Sequence, residues 1–170
     1  MRSGRVWTFG DNINTDLMLQ GSVLYSNPEV QARAVFMNNR PGWVDQVRQG
    51  DAIVGGFNYG MGSSRPAARS LRICGVGFLL AETINGLFFR NAVNYGLLAC
   101  ECPGVSAAFE EGDTAGLDIA AWTARNLRTG QTLPVSSVPQ QLLAMMVGGG
   151  IYPVLEREGL ISAKQDGGTA

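Results

Sequence analysis

The hydrophobic pattern of this chain calls for an α/β domain with a parallel core sheet and added antiparallel strands. Three observations lead there. Asp51–Gly55 is a buried-strand run, followed by the glycine-rich stretch Gly55-Gly56-Phe57-Asn58-Tyr59-Gly60-Met61-Gly62. Val76–Leu80 and Leu97–Cys102 are two further apolar runs, and helix-periodic segments separate the three. Strand, helix, strand, helix, strand at this spacing means parallel strands joined by right-handed crossovers. Beyond them, Leu117–Ile119 and Ala124–Leu127 read as short strands, with a hairpin turn at Arg128-Thr129-Gly130-Gln131.

In chain order, Arg5–Phe9 reads as the first strand. Gly10–Asp16 is a polar loop of residues that bond to their own backbone. Leu17–Leu24 is apolar but irregular, and Pro28–Arg33 predicts a helical turn. Trp43, Val44 and Val47 have helical spacing, with Gly50 as the stop. After the glycine-rich loop, Ser63 or Ser64 is the expected N-cap and Pro66 falls in the first turn of a helix reaching Gly75. Ile84, Leu87, Phe88, Ala92 and Val93 mark the next helix, closed by Gly96. Pro139 opens a helix containing Leu142, Leu143, Met146 and Val147, the three glycines 148–150 break it, and a short terminal piece, Ile151–Glu158, follows. Residues 1–161 are expected to form one domain and residues 162–170 a disordered tail.

Composition narrows the function. The chain has 170 residues, 45% hydrophobic and 16% charged, enough for one well-formed core. A formal net charge of −1 offers no footprint for nucleic acid, and no basic run offers one for a membrane surface. Apolar stretches break well before membrane-spanning length. No secretion-type segment opens the chain, so the expected location is cytoplasmic. The odd count of three cysteines, Cys74, Cys100 and Cys102, argues for buried free thiols rather than a disulfide framework or a metal site. There is no histidine at all, so any base in the chain is of another kind or comes from a partner.

The informative segment is Gly60-Met61-Gly62-Ser63-Ser64-Arg65. It follows a parallel strand and precedes a helix, where open α/β sheets place ligands. Glycines admit a ligand close to the backbone, free N–H groups at a helix start favour an anion, and an arginine fork fits a carboxylate. A serine hydroxyl among such donors gains basicity because its alkoxide is stabilised. The same residues also fit a plain capped helix with an exposed arginine. A third reading is a nucleotide site, because Gly60-x-Gly62 is followed by Glu82 where a ribose-binding acid belongs; Arg65, standing in place of the last glycine, speaks against it.

The loop Gly-x-Gly-Ser-Ser-Arg at 60–65 resembles the signature of the swivelling domain of the aconitase/3-isopropylmalate dehydratase family. Three further stretches match that family in order: Val6–Asp16, Phe88–Leu97 and Asn126–Gly130. The resemblance implies a single swivelling β/β/α-type domain serving as the small subunit of a hydro-lyase. A large subunit would carry the [4Fe–4S] cluster, with no cofactor bound by this chain, and a small dicarboxylate would be the substrate. It implies Ser63 as the base, Ser64 and Arg65 as carboxylate binders, and Asp11, Thr15, Asp16, Gly60 and Gly62 as braces of the site. It also implies that the loop Gly21–Ser26 sets specificity. Relatives acting on tricarboxylates carry arginine where Tyr25 stands, whereas Val23, Leu24 and Tyr25 suit an alkyl group, as in 3-isopropylmalate. The chain departs from the family at Met61, where small subunits often have cysteine. It departs again at Pro66 and Ala67, where an acidic residue and a histidine or glutamine are usual. The alternative is a stand-alone α/β domain binding a nucleotide or organic anion.

Overall fold

The computed structural model describes residues 1–62 and 65–162. Seven strands form one mixed sheet: β1 (Arg2–Thr8), β2 (Ala52–Gly55), β3 (Phe78–Ala81), β4 (Ala99–Glu101), β5 (Thr114–Asp118), β6 (Thr123–Asn126) and β7 (Thr132–Pro134). Their spatial order is β4-β3-β2-β1-β5-β6-β7. The first four are parallel and the pairings beyond β1 are antiparallel, as the pattern predicts.

The helices are α1 (Thr15–Met18), α2 (Pro28–Arg33), α3 (Trp43–Gln46), α4 (Ala67–Ile73), α5 (Gly86–Tyr95), α6 (Val105–Ala108), α7 (Gln140–Val147) and α8 (Ile151–Arg157). Successive parallel strands advance in one direction across the sheet, so right-handed crossovers stack their helices on one face. Accordingly α2 packs on α4, α4 on α5 and α5 on α7, while α6 lies against β2 and β3. Every residue of β2 and β3 is buried, which is why these strands read as unbroken apolar runs rather than alternating ones.

β1 joins the two halves. Its residues 2–5 pair antiparallel with β5, and its residues 6–8 pair parallel with β2. The strand starts earlier than the sequence signals, because Arg2, Ser3 and Gly4 are recruited by β5 and not by their own hydrophobicity. Gly4 has no room for a Cβ, which would strike the Gly50 carbonyl. The sheet curls until its ends approach: Ser136, just beyond β7, donates its N–H to the Glu101 carbonyl of β4 at 2.8 Å.

Local signals explain most helix ends. Asn27 caps α2 by accepting the Val30 N–H at 2.9 Å, and Asn85 caps α5 by accepting that of Leu87 at 3.0 Å. Gly96 ends α5 with φ 71°, a left-handed turn suited to glycine. One expected cap differs. α4 begins at Ala67, so its cap position falls on Pro66, with no side chain capping it. α3 also ends earlier than expected, at Gln46, where Val47 turns extended. Between α1 and α2 a 3-10 turn covers Gly21–Val23 within the irregular stretch.

The core is continuous. Trp7, Phe9, Phe36 and Trp43 form an aromatic cluster with Phe9 stacked on Phe36 at 4.3 Å, each such pair adding about 0.5–1.5 kcal/mol beyond its buried area. The expected tail falls, apart from Ser162, outside the described residues. Among the described residues no helix is long and apolar enough to cross a membrane.

Candidate active site at the parallel strand ends

Three loops leave the carboxyl ends of β1, β2 and β3 and are stitched side by side. Gly56 N–H bonds the Gly10 carbonyl at 3.2 Å, Asn12 N–H that of Phe57 at 2.8 Å, Gly60 N–H that of Ile13 at 2.7 Å and Thr15 N–H that of Met61 at 2.9 Å. On the other side Tyr59 exchanges backbone bonds with the β3 loop, donating to Thr83 and accepting from Asn85. The loop after β2 is thus the central strip of a platform rather than a free hinge. The strip needs its glycines. A Cβ on Gly56 would collide with Asp11, and one on Gly60, at φ 79°, with the Phe88 ring.

The expected bracing residues take definite places. Asp11 Oδ1 accepts the Phe57 N–H at 2.8 Å, which fixes the start of the loop. Thr15 is buried at the head of α1, with its hydroxyl facing the bare α-carbon of Gly62. Asp16 binds Arg65, Oδ1 to Nε, at 2.7 Å, and Arg65 Nη1 donates to the Leu19 carbonyl at 2.8 Å. Arg65 therefore stands in a fixed orientation, its side chain 18% exposed. Ser63 and Ser64 lie outside the described residues.

The loop Gly21–Ser26 runs beside this arginine, the Gly21 position lying within 4 Å of Nη1. Val23 and Leu24 are half-buried against the core, and Tyr25 is fully exposed in the single chain. Met61, Phe57 and Leu17 add exposed apolar surface on the platform loops. A cavity of about 280 Å³ opens beside it, lined by Ile84, Phe89, Glu101 and Pro139 among others; none of the described residues expected to brace the site or bind carboxylate lines it.

The departures have local explanations. Ala67 is fully buried as the first residue of α4, where a polar side chain would need a hydrogen-bond partner. Met61 keeps the backbone role of its position through its carbonyl bond to Thr15.

Glu82 does not wait for a ribose. Its carboxylate accepts the N–H groups of Gly104 at 2.7 Å and Ser106 at 2.9 Å, together with the Ser106 hydroxyl, at the start of α6. Burial raises its pKa, but these donors outweigh burial and hold the carboxyl below its usual range. This overturns the nucleotide assignment of Glu82: the acid is committed inside the fold.

The cysteines do not suit an iron–sulfur cluster. A cluster wants converging thiolates. Burial instead pushes Cys74 up to about 11, and burial first, with Cys102 beside Cys100 and Glu82 beside Cys102 adding to it, pushes the other two up to about 12. Among the described residues no group of three or more His, Cys, Asp or Glu side chains is placed to hold a metal ion.

Sequence reading missed several contributors. Asn14 caps α1 by accepting the Leu17 N–H at 2.8 Å, a signal its Asx type and spacing offered. Leu19 contributes only a carbonyl, and Gln31 and Arg69 meet only through helix packing, so no local pattern announces them. Tyr59 is buried inside the loop, and burial pushes its phenol far above the usual range, leaving it protonated.

An anchored arginine on glycine-rich loops at parallel strand ends is an arrangement that suits an anion, and the comparisons supply the family. The family model described as the aconitase C-terminal domain matches residues 12–104, more than half of the chain. The isopropylmalate/citramalate isomerase small subunit of Methanocaldococcus jannaschii is 38% identical over 91% of this chain and 94% of its own length. The 3-isopropylmalate dehydratase small subunit of Deinococcus deserti is 40% identical over 86% of this chain and 82% of its own. A crystal structure of 3-isopropylmalate dehydratase from Methanocaldococcus jannaschii superposes with a TM-score of 0.86 at 26% identity, covering 93% of this chain and 95% of that one. The chain belongs to the aconitase family of hydro-lyases, among the small subunits of 3-isopropylmalate dehydratases, which work with a large subunit.

Proposed function

We propose that this chain, joined to its large subunit in the cytoplasm, interconverts 2- and 3-isopropylmalate in leucine biosynthesis by loss and return of water. The observation that carries the proposal is Arg65, oriented by Asp16 and the Leu19 carbonyl beside the loop of Gly60 and Gly62. A fork held this way offers a substrate carboxylate a preformed cationic partner. Ser63, two residues before it, takes the proton alpha to a carboxylate while the hydroxyl leaves from the adjacent carbon; return of both at exchanged positions gives the isomer. Because α4 begins only at Ala67 and is seven residues long, its dipole contributes little to this loop, and the positive charge is that of Arg65. Ser64 adds its backbone to carboxylate binding. The large subunit's [4Fe–4S] cluster supplies Lewis-acid assistance to the departing hydroxyl.

The preference for an alkyl substrate rests on the loop Gly21–Ser26, which carries no cation. A third carboxylate placed there would lose water without gaining a partner, which is costly. Residues 1–161 act as one swivelling domain that closes over the partner's site. Neither nucleic acid nor membrane is a partner in this reading.

The test is anaerobic assembly with the large subunit and assay of Ser63→Ala. Turnover is expected to fall by about 10²–10⁴, the usual worth of a positioned proton acceptor, while KM changes little. Retained turnover in Ser63→Ala, or dehydration of malates by this chain alone, would overturn the assignment.

A further inference from the structure

The loop Gly21–Ser26 is tied down from one segment of chain at both of its ends. Before it, the Leu19 carbonyl accepts from Arg65 Nη1 at 2.8 Å. Within it, the Leu24 carbonyl accepts from Gln31 Nε2 at 2.7 Å, and Gln31 Oε1 accepts from Arg69 Nη2 at 2.7 Å. Arg65 and Arg69 lie four residues apart, the first two residues before α4 and the second in its first turn. Gln31 sits on α2 and is 1% exposed, so water does not substitute for either bond. The chemistry of the relay is specific. A guanidinium only donates and a backbone carbonyl only accepts, so the bridging side chain must offer one acceptor and one donor at glutamine's reach. The Arg69 guanidinium also lies over the Tyr95 ring of α5, its Cζ 5.5 Å from the centroid, which keeps the far end of the relay on the helical layer.

We propose that Gln31 is a positioning residue for alkyl-group selectivity. By bridging Arg69 to the Leu24 carbonyl, it sets where Val23, Leu24 and Tyr25 stand relative to Arg65, without itself meeting the substrate. The carboxylate clamp and the alkyl wall then share one support, and their separation is held by side-chain bonds. The inference rests on the role proposed above for loop 21–26.

The decisive variant is Gln31→Glu. It keeps an acceptor for Arg69, and so the α2–α4 tie, but has no donor for the Leu24 carbonyl. Gln31→Met removes both bonds and serves as the comparison. In the assembled enzyme, kcat and KM are measured for 3-isopropylmalate and for citramalate, which carries only a methyl group. In Gln31→Glu the preference between the two is expected to shift about fivefold, the size a loosened apolar pocket commands, through KM and with kcat nearly unchanged. Amide exchange in the full chain is expected to quicken about tenfold at Val23, Leu24 and Ser26, with the thermal midpoint lowered less than in Gln31→Met because the tie to Arg69 remains. Gln31→Met shows the same shift with a lowered midpoint. Unchanged exchange at these amides would overturn the tie, and quickened exchange with an unchanged preference would overturn its role in selectivity. A parent enzyme that turns over neither malate contradicts the proposed function instead, and the exchange measurement still decides the tie.

Discussion

The pairing of Asp16 with Arg65 shows how little stability a site residue need supply. The carboxylate of Asp16 is 62% exposed, and an ion pair with so wet a partner contributes about 0–1 kcal/mol to folding. Its worth lies in orientation, because the bond at Nε fixes the plane in which the guanidinium lies. Asp16→Ala is therefore expected to leave the unfolding midpoint nearly unchanged while raising KM for the malate about fivefold, with a smaller change in kcat. Equal losses in kcat and kcat/KM would show instead that Asp16 acts on the transition state. Asp11 makes the complementary case. Its partner is the Phe57 N–H, so its substitution acts on the loop's shape rather than on charge.

The β6–β7 hairpin is held by a polar knot rather than by apolar area. Asp113, just before β5, accepts from Arg128 Nε, from the Glu110 N–H at 2.9 Å and from Asn126 Nδ2 at 2.7 Å. The Arg128 guanidinium first, then these amides, hold its carboxyl well below the usual carboxylate range. A lowered value means the folded state favours the charged form. The stabilisation is complete above the ordinary value near about 4 and disappears as pH falls through the lowered one. Arg128→Met is expected to lower the urea midpoint at neutral pH with an unchanged slope, and the gap from the parent should narrow as the solution is acidified below about pH 4. A gap independent of pH would mean that Arg128 works through packing. The resemblance picked out Asn126–Gly130 by matching residues alone. The structure supplies the reason, since Asn126 also receives the Arg128 and Thr129 N–H groups at its side-chain oxygen.

Taken entire, the molecule is half of a catalyst. Among the described residues no group of side chains is placed to hold a metal ion, and burial keeps the thiols of Cys100 and Cys102 protonated. Reconstitution of the isolated chain with iron and sulfide is expected to leave it colourless and inactive, and activity should emerge on mixing with the large subunit that the proposed function requires to carry the cluster. Visible charge-transfer absorption retained by the isolated chain after gel filtration would contradict this division. Leu17, Phe57, Met61 and Tyr25 are each exposed to solvent in the single chain.

Much of this was legible beforehand. Unbroken apolar runs marked β2 and β3, because strands covered on both faces have no polar side to interrupt them. Glycines and Asx caps marked the turns, because those conformations demand particular residues. The ordered loop and hairpin motifs marked the family. Only the tertiary structure decided that Glu82 caps α6, that Arg65 is turned by Asp16, that residues 2–4 join the sheet through β5, and that Gln31 reaches Leu24. Each of these depends on a partner 7 to 115 positions away along the chain. A local pattern records what a residue does to its own backbone, whereas a side chain's partner is set by which elements the packing of the core brings together.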